Sequence, residues 1–203
     1  MGTISTKEMQ VLEQKSVDQG VSLLSLMENA GKQISETLQK KKELEKKKVL
    51  VVCYHGNNGG DGFVAARYLA DICEVDVLFL GDEEKFKKEA AINYEKLSNR
   101  YDVQIFKEPD IDYDEYDVII DAMLGTGIDG ELHEPVLSVI DLINNSRGYK
   151  VSVDVPSGLN PDTGESAGKY VEPDLIITMH AIKKGLEKFN DKTVVIDIGI
   201  KES

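Results

Sequence analysis

Lys48-Val49-Leu50-Val51-Val52-Cys53-Tyr54 is a continuous apolar run, and it leads through His55 into Gly56-Asn57-Asn58-Gly59-Gly60-Asp61-Gly62. A short apolar run bounded by turn residues is typical of a buried strand. The glycines after it allow positive φ and close backbone approach, and a helix that begins there offers free N–H groups to an anion. A tight turn capped by Asp61 would explain one Asp and one or two glycines, but not all four glycines and both asparagines. This stretch therefore predicts a strand, a phosphate-binding turn and a helix.

Apolar runs and helical segments alternate along the rest of the chain. Continuous Val, Ile and Leu runs that are separated by helices indicate a parallel sheet covered on both faces. With 203 residues and 41% hydrophobic content, we expect a single domain over residues 1–203. The predicted fold class is α/β, a three-layer, doubly wound, mostly parallel sheet with two N-terminal helices. We predict helices near residues 6–19, 23–39, 61–72, 83–99 and 135–145, and strands at residues 48–54, 75–80, 103–106, 117–122, 150–155, 175–179 and 193–197.

The composition argues against several classes of partner. A formal net charge of −13 disfavours a surface that tracks nucleic-acid phosphates and disfavours binding to anionic membranes. No run of about 20 apolar residues occurs, and the first residues lack the apolar core of a secretory signal, so we expect a cytoplasmic protein. Cys53 and Cys73 have neither metal-ligand nor obvious disulfide spacing, which favours free thiols.

Acidic and polar side chains occur at the ends of three predicted strands. Asp121 ends the apolar run that begins at Val118, and Asp154 lies in the next strand, just before Pro156 and Ser157. A carboxylate in an apolar run needs a cation, a donor or a reacting ligand to offset the cost of burial. Because ligands bind beyond the carboxyl ends of strands in an open parallel sheet, we expect these residues and the glycine-rich turn to form one polar site.

Oxygen atoms predominate among the side chains of this predicted site. Asn58, Asp121 and Ser157 form a set of oxygen donors that suits a hard cation and does not suit zinc. The histidines at positions 55, 133 and 180 are scattered and form no ligand pair, so we interpret each as structural or exposed.

Other nucleotide-binding motifs fit poorly. The spacing G-x-x-G-G-x-G of residues 56–62 differs from the dinucleotide fingerprint, and the segment lacks the Gly-Lys-Ser/Thr ending of a P-loop. Asp82 could imitate a ribose-binding acid, but an exposed turn residue after Gly81 is the better interpretation. A hydride-transferring dinucleotide enzyme is therefore disfavoured.

Four motifs occur in a fixed order over nearly the whole chain, at Ser22–Gly31, Gly56–Gly62, Asp121–Gly127 and Val153–Leu159. One such motif would be weak evidence, whereas four in order are specific. Together they resemble the NAD(P)H-hydrate epimerase family, also called the YjeF N-terminal domain family. The resemblance implies a Rossmann-like domain that interconverts the R and S forms of hydrated NADH and NADPH, which repairs damaged nicotinamide cofactors.

The resemblance also implies particular site residues. Asn58, Asp121 and Ser157 match the family positions that hold a potassium ion. Lys183 keeps the family's residue type, although residues 181–186 lack both prolines of the family's Ala-Pro-Lys-Pro-Gly-Leu, which leaves the backbone placement of Lys183 open. The residues that match substrate-binding positions are Asn57, Asn58, Gly59, Gly60, Asp61, Gly125, Thr126, Gly127, Ile128, Asp129, Gly130, Glu131 and Asp154.

The chemistry of such a substrate indicates a catalytic role for Asp154. The hydrated carbon, C6, bears a hydroxyl beside the ring nitrogen, whose lone pair can expel that hydroxyl once an acid protonates it. A planar iminium results, and water that returns to the opposite face gives the other epimer. We predict that Asp154 serves both steps through a water, and that Asp121, beside the cation, stays ionised.

Alternative and additional roles stay open at this point. The same fold occurs as a binding module in RNA-decapping scaffold proteins, so a non-catalytic scaffold, or an epimerase with a second protein-binding role, is an alternative. The presence of the predicted site residues, together with the acidic charge, favours the enzyme. The family often forms dimers through its N-terminal region and is often fused to a hydrate dehydratase, so a homodimer and a dehydratase partner are expected. Glu28 and Asn29 could reach the site or a subunit interface.

Overall fold

The computed structural model of the protein describes residues 2–127, 132–166 and 168–201. These residues form nine strands and five α-helices. The helices are α1 (Thr6–Asp18), α2 (Leu23–Lys41), α3 (Asn57–Leu69), α4 (Lys88–Ser98) and α5 (Val136–Asn145). The strands are β1 (Thr3–Ile4), β2 (Lys48–Cys53), β3 (Glu74–Phe79), β4 (Val103–Phe106), β5 (Val118–Ala122), β6 (Tyr149–Val153), β7 (Leu175–Met179), β8 (Ile182–Lys183) and β9 (Thr193–Ile196).

Seven of the strands form one parallel sheet in the order β4-β3-β2-β5-β6-β7-β9. This sheet confirms all seven predicted strands and the predicted fold class. The chain moves outward from β2 to β3 and β4, returns to β5 on the other side of β2, and then continues in the opposite direction. The carboxyl ends of β2 and β5 therefore flank the switch point where ligands bind in such sheets.

Helices cover the two faces of the sheet, as the continuous apolar strands predict. Val51 of β2 belongs to the apolar cluster that includes Ile34 of α2 and Phe63 of α3. The adjacent residue, Leu50, belongs to the opposite cluster with Ile140 of α5. Successive strand residues thus bury apolar side chains on both faces, which explains the absence of polar alternation. In the part of the chain that the structure describes, no helix has both the length and the apolar character needed to cross a membrane.

The glycine-rich segment after β2 is helical. α3 begins at Asn57 with Gly56 as its N-cap, so the predicted start at Asp61 was too late and Asp61 is not a cap. No glycine of the segment has a positive φ, so that part of the prediction was wrong. The glycines instead allow close packing, because a Cβ on Gly59 would lie 1.8 Å from the carbonyl oxygen of Tyr54.

The helix predicted near residues 83–99 is interrupted. A 3-10 turn spans Glu83–Lys85, and α4 starts only at Lys88. Between them Phe86 has ψ 134°, an extended conformation, and its ring stacks on Phe79 with 5.0 Å between centroids. Burial of this ring in an aromatic cluster stabilises the break more than continued helix would. The side chain of Asp82 accepts a hydrogen bond from the Glu84 N–H, which confirms its interpretation as a turn residue.

The motif at Ser22–Gly31 packs helices together. A Cβ on Gly31 would lie 2.3 Å from the Cβ of Val64, so this glycine allows α2 and α3 to cross closely. Glu28 forms an ion pair with Arg67 of α3 at 2.7 Å. Asn29 donates to the carbonyl oxygen of Ile198 at 2.9 Å. Both side chains, whose roles the sequence left open, thus stabilise the contacts of α2 with its neighbours.

Candidate active site

A cavity of about 540 Å³ opens beyond the carboxyl ends of β2, β5, β6 and β7, at the switch point of the sheet. Its floor is formed by the turn after β2 and by Asp154 after β6. Its walls come from the loop after β5, from α1 and α2, and from the start of α4. This volume is typical of small-molecule sites, which span roughly 300 to 1,000 Å³.

Asp154 lies directly after β6 in a left-handed conformation, with φ 63°. Such a conformation is uncommon for a residue other than glycine and is often found at functional sites. Lys183, Thr178 and the backbone N–H of Met179 all donate to its Oδ1, at 2.5, 3.1 and 3.4 Å. Among the described residues no donor contacts Oδ2. The carboxyl group is thus held by one oxygen, and the other remains for a ligand or a water in the cavity.

Lys183 lies in β8 and is fully buried. Its ammonium group donates to Asp154 Oδ1, to Thr178 Oγ1 at 3.1 Å and to the carbonyl oxygen of Met179 at 2.9 Å. All three of its donors therefore have acceptors. The loss of both family prolines around Lys183 does not prevent this side chain from reaching Asp154.

Asp121 and Ser157 bind each other below the loop after β5. The Ser157 hydroxyl donates to Asp121 Oδ1 at 2.5 Å, and the Ser157 N–H donates to Oδ2 at 2.9 Å. Ser152 also donates to Oδ2, at 3.0 Å. Burial nevertheless raises the pKa of Asp121 above its ordinary value, although these hydrogen bonds oppose the shift. The predicted ionised state of Asp121 therefore depends on an additional positive charge nearby.

Asn58 sits at the start of α3 with its side chain 9% exposed, and neither its Oδ1 nor its Nδ2 has a hydrogen-bond partner in the described structure. A buried amide without partners is costly, so this one indicates a missing ligand. The facing residue is Gly125, where a Cβ would lie 3.2 Å from the Asn58 Cγ. The preceding residue, Leu124, donates its N–H to the Ser157 hydroxyl at 2.9 Å. The loop after β5 thus contacts Asn58 through Gly125 and Ser157 through Leu124, and the oxygen donors that flank this loop fit a hard cation.

Two further carboxyl groups face the cavity near Asp154. Asp61 comes from the first turns of α3, and Glu13 comes from α1. Burial raises the pKa of Asp61 well above its ordinary value, the charges of Asp154 and Glu13 raise it further, and Lys183 opposes the shift. Burial and the charge of Asp154 also raise the pKa of Glu13, against the effect of Lys183. The site therefore favours the protonated forms of Asp61 and Glu13, next to the Asp154–Lys183 pair.

The structure brings most of the predicted substrate-binding residues together. Gly59 and Gly60 do not line the cavity, since they pack against Tyr54 and Met27. The predicted residues Ile128, Asp129, Gly130 and Glu131 lie outside the described residues. Asp121 and Ser157 do not line the cavity either. The predicted residues that do line it are Asn57, Asn58, Asp61, Gly125, Thr126, Gly127 and Asp154.

Several lining residues escaped the sequence interpretation. Glu13 is one of several charged residues on an amphipathic helix, and nothing in its spacing marks it. Lys87 lines the cavity because α4 starts there, and the break before α4 was not predicted. His55 and His133 also line the cavity, and the His55 ring lies 4.0 Å from the Tyr54 ring between centroids. Residue type alone did not separate these positions from ordinary surface residues.

Comparison with known sequences identifies the family. The profile of the family described as "YjeF-related protein N-terminus" matches residues 23–185. The chain belongs to this family. The four ordered motifs of the sequence lie within or beside the matched range, and each of them contributes residues to the lining of the cavity or to the Asp121–Ser157 pair.

Relatives of two lengths are similar to the chain. An "NAD(P)H-hydrate epimerase" of Nitrosopumilus maritimus is 39% identical over 94% of this chain and 90% of its own length. One of Oenococcus oeni is 36% identical over 98% and 97%. A "Bifunctional NAD(P)H-hydrate repair enzyme Nnr" of Archaeoglobus fulgidus is 41% identical over the whole of this chain, which spans only 43% of that protein. The chain thus spans most of the length of these two shorter relatives and less than half of the length of the bifunctional one.

A solved structure has the same fold. The crystal structure of the yeast protein ynu0, YNL200c, superimposes with a TM-score of 0.85 over 97% of this chain and 88% of that one, at 22% sequence identity. This similarity shows that the two proteins share the Rossmann-like α/β fold.

Proposed function

We propose that the protein is an NAD(P)H-hydrate epimerase, an isomerase that interconverts the R and S forms of hydrated NADH and NADPH. The observation that carries the proposal is the convergence of Asp154, Asp61 and the partnerless Asn58 on one cavity at the switch point of the sheet. Relatives of nearly equal length bear the name of this activity. We further propose that residues 1–203 act as one epimerase domain.

Substrate binding follows from the position of α3. Its N-terminus opens onto the cavity at Asn57 and Asn58, where backbone N–H groups and the helix dipole favour an anion such as a pyrophosphate. Lys87, at the N-cap of α4, adds a positive charge on the same side of the cavity. The hydrated ring would then lie toward Asp154 and Asp61. In this arrangement Gly125, Thr126 and Gly127 form the neighbouring wall.

Asp154 acts on the C6 hydroxyl through its free oxygen. Oδ2 passes a proton to the hydroxyl directly or through a water, the ring nitrogen forms a double bond to C6, and the C6–O bond breaks to release water. Water then adds to C6 of the planar iminium from the other face. Its proton returns through a water to Oδ2 of Asp154, which restores the acid. Lys183 keeps the Oδ1 side of Asp154 fixed and compensates its charge. No oxidant or reductant is needed, because the hydrated ring leaves with the same atoms and electrons.

A potassium ion is proposed as the resident cation. Asn58, Asp121 and Ser157 would hold it, since all three offer oxygen atoms beside the loop after β5 and the amide oxygen of Asn58 has no partner among the described residues. The bound ion would supply a positive charge that orders the loop after β5 and keeps Asp121 ionised. That loop includes Gly125 and Thr126 of the cavity wall.

The assay for this function starts from one purified epimer of hydrated NADH or NADPH and follows its conversion to the other by chromatography. The purified protein should bring the epimers to equilibrium much faster than the spontaneous reaction, and potassium should increase the rate. Heat-denatured protein provides the control. Equilibration at the spontaneous rate would contradict the proposal and favour a binding module.

The cellular context is also proposed. Fusion of related domains into bifunctional repair enzymes supports a hydrate dehydratase as the functional partner, which would consume one epimer. We also propose a homodimer and a cytoplasmic location. Sedimentation of the purified protein tests the first, and cell fractionation tests the second.

A further inference from the structure

The helix α1 is fixed next to the strand that carries Lys183. β1 pairs in parallel with β8, so that Ile4 lies opposite Lys183. The N–H of Thr6, the first residue of α1, donates to Asp162 at 2.8 Å. Lys184 forms an ion pair with Glu8 at 3.4 Å. These contacts hold α1 over the carboxyl end of the sheet, where it closes one wall of the cavity.

One face of α1 forms that wall. Met9, Gln10 and Glu13 follow the i, i+1, i+4 spacing that places residues on one side of a helix, and all three line the cavity. Met9 is buried, and Glu13 is partly buried. The interactions that act on the Glu13 carboxyl are burial and the charges of Asp154 and Lys183, without a hydrogen bond. Among the described residues, none therefore donates a hydrogen bond to the Glu13 carboxyl group, and this group interacts through its charge with the proposed catalytic residue, Asp154.

The charges in this part of the cavity do not balance. Asp154, Asp61 and Glu13 supply three carboxyl groups, and Lys183 is the one buried cation beside them in the described structure. The hydrogen bonds of the Lys183 ammonium group all go to Asp154, Thr178 and Met179. The other charged or titratable groups that line the cavity in the described structure are Tyr54, His55, Lys87, Glu89 and His133. Carboxyl groups that share a partly buried space without enough cations retain protons, as a general acid must.

Epimerisation needs chemistry on both faces of the ring. The hydroxyl leaves from one face of C6, and water enters from the other, so one carboxyl group on one side reaches both only through a mobile water. Asp154 enters the cavity from the end of β6, and Glu13 enters it from α1, so the two carboxyl groups come from different elements. We infer that Glu13 is a second acid–base residue, which acts on the ring face opposite Asp154. This inference depends on the proposed epimerase function.

The step is balanced in protons and electrons. Protonated Glu13 gives its proton to the leaving hydroxyl as the C6–O bond breaks, and water departs from the α1 side. A second water attacks the iminium from the sheet side, and its proton passes to Asp154. The reverse conversion uses the same groups with exchanged roles, so both directions depend equally on Glu13. Before the next turnover in the same direction, Asp154 releases its proton to solvent water and Glu13 takes one up, which restores the starting state.

The test compares Glu13→Gln with Glu13→Asp in the full chain. Gln keeps the size of the side chain and removes its acid–base function, whereas Asp keeps the function at a shorter reach. We expect Glu13→Gln to lower kcat by about 100-fold in both directions, as for loss of one acid–base group, with KM and the melting temperature little changed. We expect Glu13→Asp to recover part of that loss. In the plot of kcat against pH, Glu13→Gln should lose the rise or fall that the titration of Glu13 causes in the unmodified protein.

The matched control is Asp18→Asn, which removes an exposed carboxylate from the same helix on its outer side. It should keep the rate and pH profile of the unmodified protein. A kcat of Glu13→Gln within about threefold of the original, or a loss confined to KM with both pH limbs kept, would overturn the role of Glu13 while the epimerase function stands. If the unmodified protein does not accelerate equilibration of the two epimers, the epimerase function is refuted, and the proposed role of Glu13 is refuted with it.

Discussion

Lys183 Nζ lies 2.5 Å from Asp154 Oδ1, and the two side chains are 0% and 10% exposed. Desolvating such a pair is costly, and removing one partner leaves a buried charge without compensation. The pair also sets the direction of Asp154, because Lys183 contacts Oδ1 and leaves Oδ2 for the cavity. The stability of the site and its chemistry therefore depend on the same contact.

The first prediction concerns this ion pair. Lys183→Met should lower the free energy of unfolding by about 3 to 5 kcal/mol, since Asp154 would remain buried without its cation. In an Asp154→Asn background the same change should cost clearly less, because no charge is then left unpaired. Urea unfolding of the single and double variants measures the coupling. Equal costs in both backgrounds would mean that the two residues do not stabilise each other.

The second prediction concerns catalysis by Asp154. Asp154→Asn should abolish epimerisation and leave binding of the hydrated cofactor nearly intact, since the amide keeps the shape and loses the proton-transfer group. Turnover is followed by chromatography and binding by calorimetry. The control is Asp141→Asn, an exposed residue of α5 outside the cavity. Retained turnover in Asp154→Asn would refute the assigned role.

The third prediction concerns the buried amide of Asn58. Potassium should raise the melting temperature of the unmodified protein relative to choline at equal ionic strength, because a ligand that binds only the folded state stabilises it. In Asn58→Ala this difference should disappear. Without potassium the substitution should cost little, about 1 kcal/mol or less, because the amide makes no hydrogen bond. A potassium effect that survives in Asn58→Ala would exclude Asn58 as a ligand.

The fourth prediction separates two glycines at the start of α3. Gly59→Ala should destabilise the fold by at least about 2 kcal/mol, because its Cβ would collide with the carbonyl oxygen of Tyr54. Gly56→Ala should stay within about 0.5 kcal/mol, since no atom lies within 4 Å of its Cβ and its φ is −82°. Thermal unfolding compares the two variants. Similar melting temperatures would show that α3 can shift away from β2.

The fifth prediction follows from the raised pKa of Asp61. The folded protein holds the Asp61 proton to higher pH than the unfolded chain does, so stability falls as pH rises from about 4 toward that raised value. Asp61→Asn removes this loss. The variant should melt like the original near pH 4 and at a higher temperature at pH 7. Asp191→Asn, at an exposed position, is the control and should melt at the same temperature as the unmodified protein at both pH values. A lower melting temperature for Asp61→Asn at pH 7 would contradict the burial argument.

The sheet could be predicted from the sequence because each strand is an apolar run that a polar or glycine-rich turn ends. β1 and β8 could not, since Thr3–Ile4 and Ile182–Lys183 are too short to form a pattern and pair only because the tertiary fold brings them together. The interruption at Phe86 was missed for a related reason. Helix periodicity continues through it, and only the packing of the ring on Phe79 reveals the break.

The site was predictable where side chains follow strands directly. Asn58, Asp61 and Asp154 reach the cavity because the carboxyl ends of parallel strands meet at one edge. The role of Gly59 and Gly60 could not be predicted from the sequence, because tight helix packing and close contact with a ligand both require glycine. Glu13 and Lys87 come from helices, whose distance from the strand ends depends on the tertiary packing. The motifs at the strand ends therefore predicted the part of the cavity next to the sheet, but not the part that α1 and the start of α4 form.

The pairing of Ile4 with Lys183 also has a consequence for the order in which the chain folds. Most of the sheet separates α1 from β8 in the sequence, so the strand beside which α1 docks is synthesised long after α1. Contacts this distant in sequence form late, after the local βα units have assembled. The local βα units therefore assemble before the helix that carries Glu13 docks, and the cavity gains its α1 wall only after β8 has been synthesised.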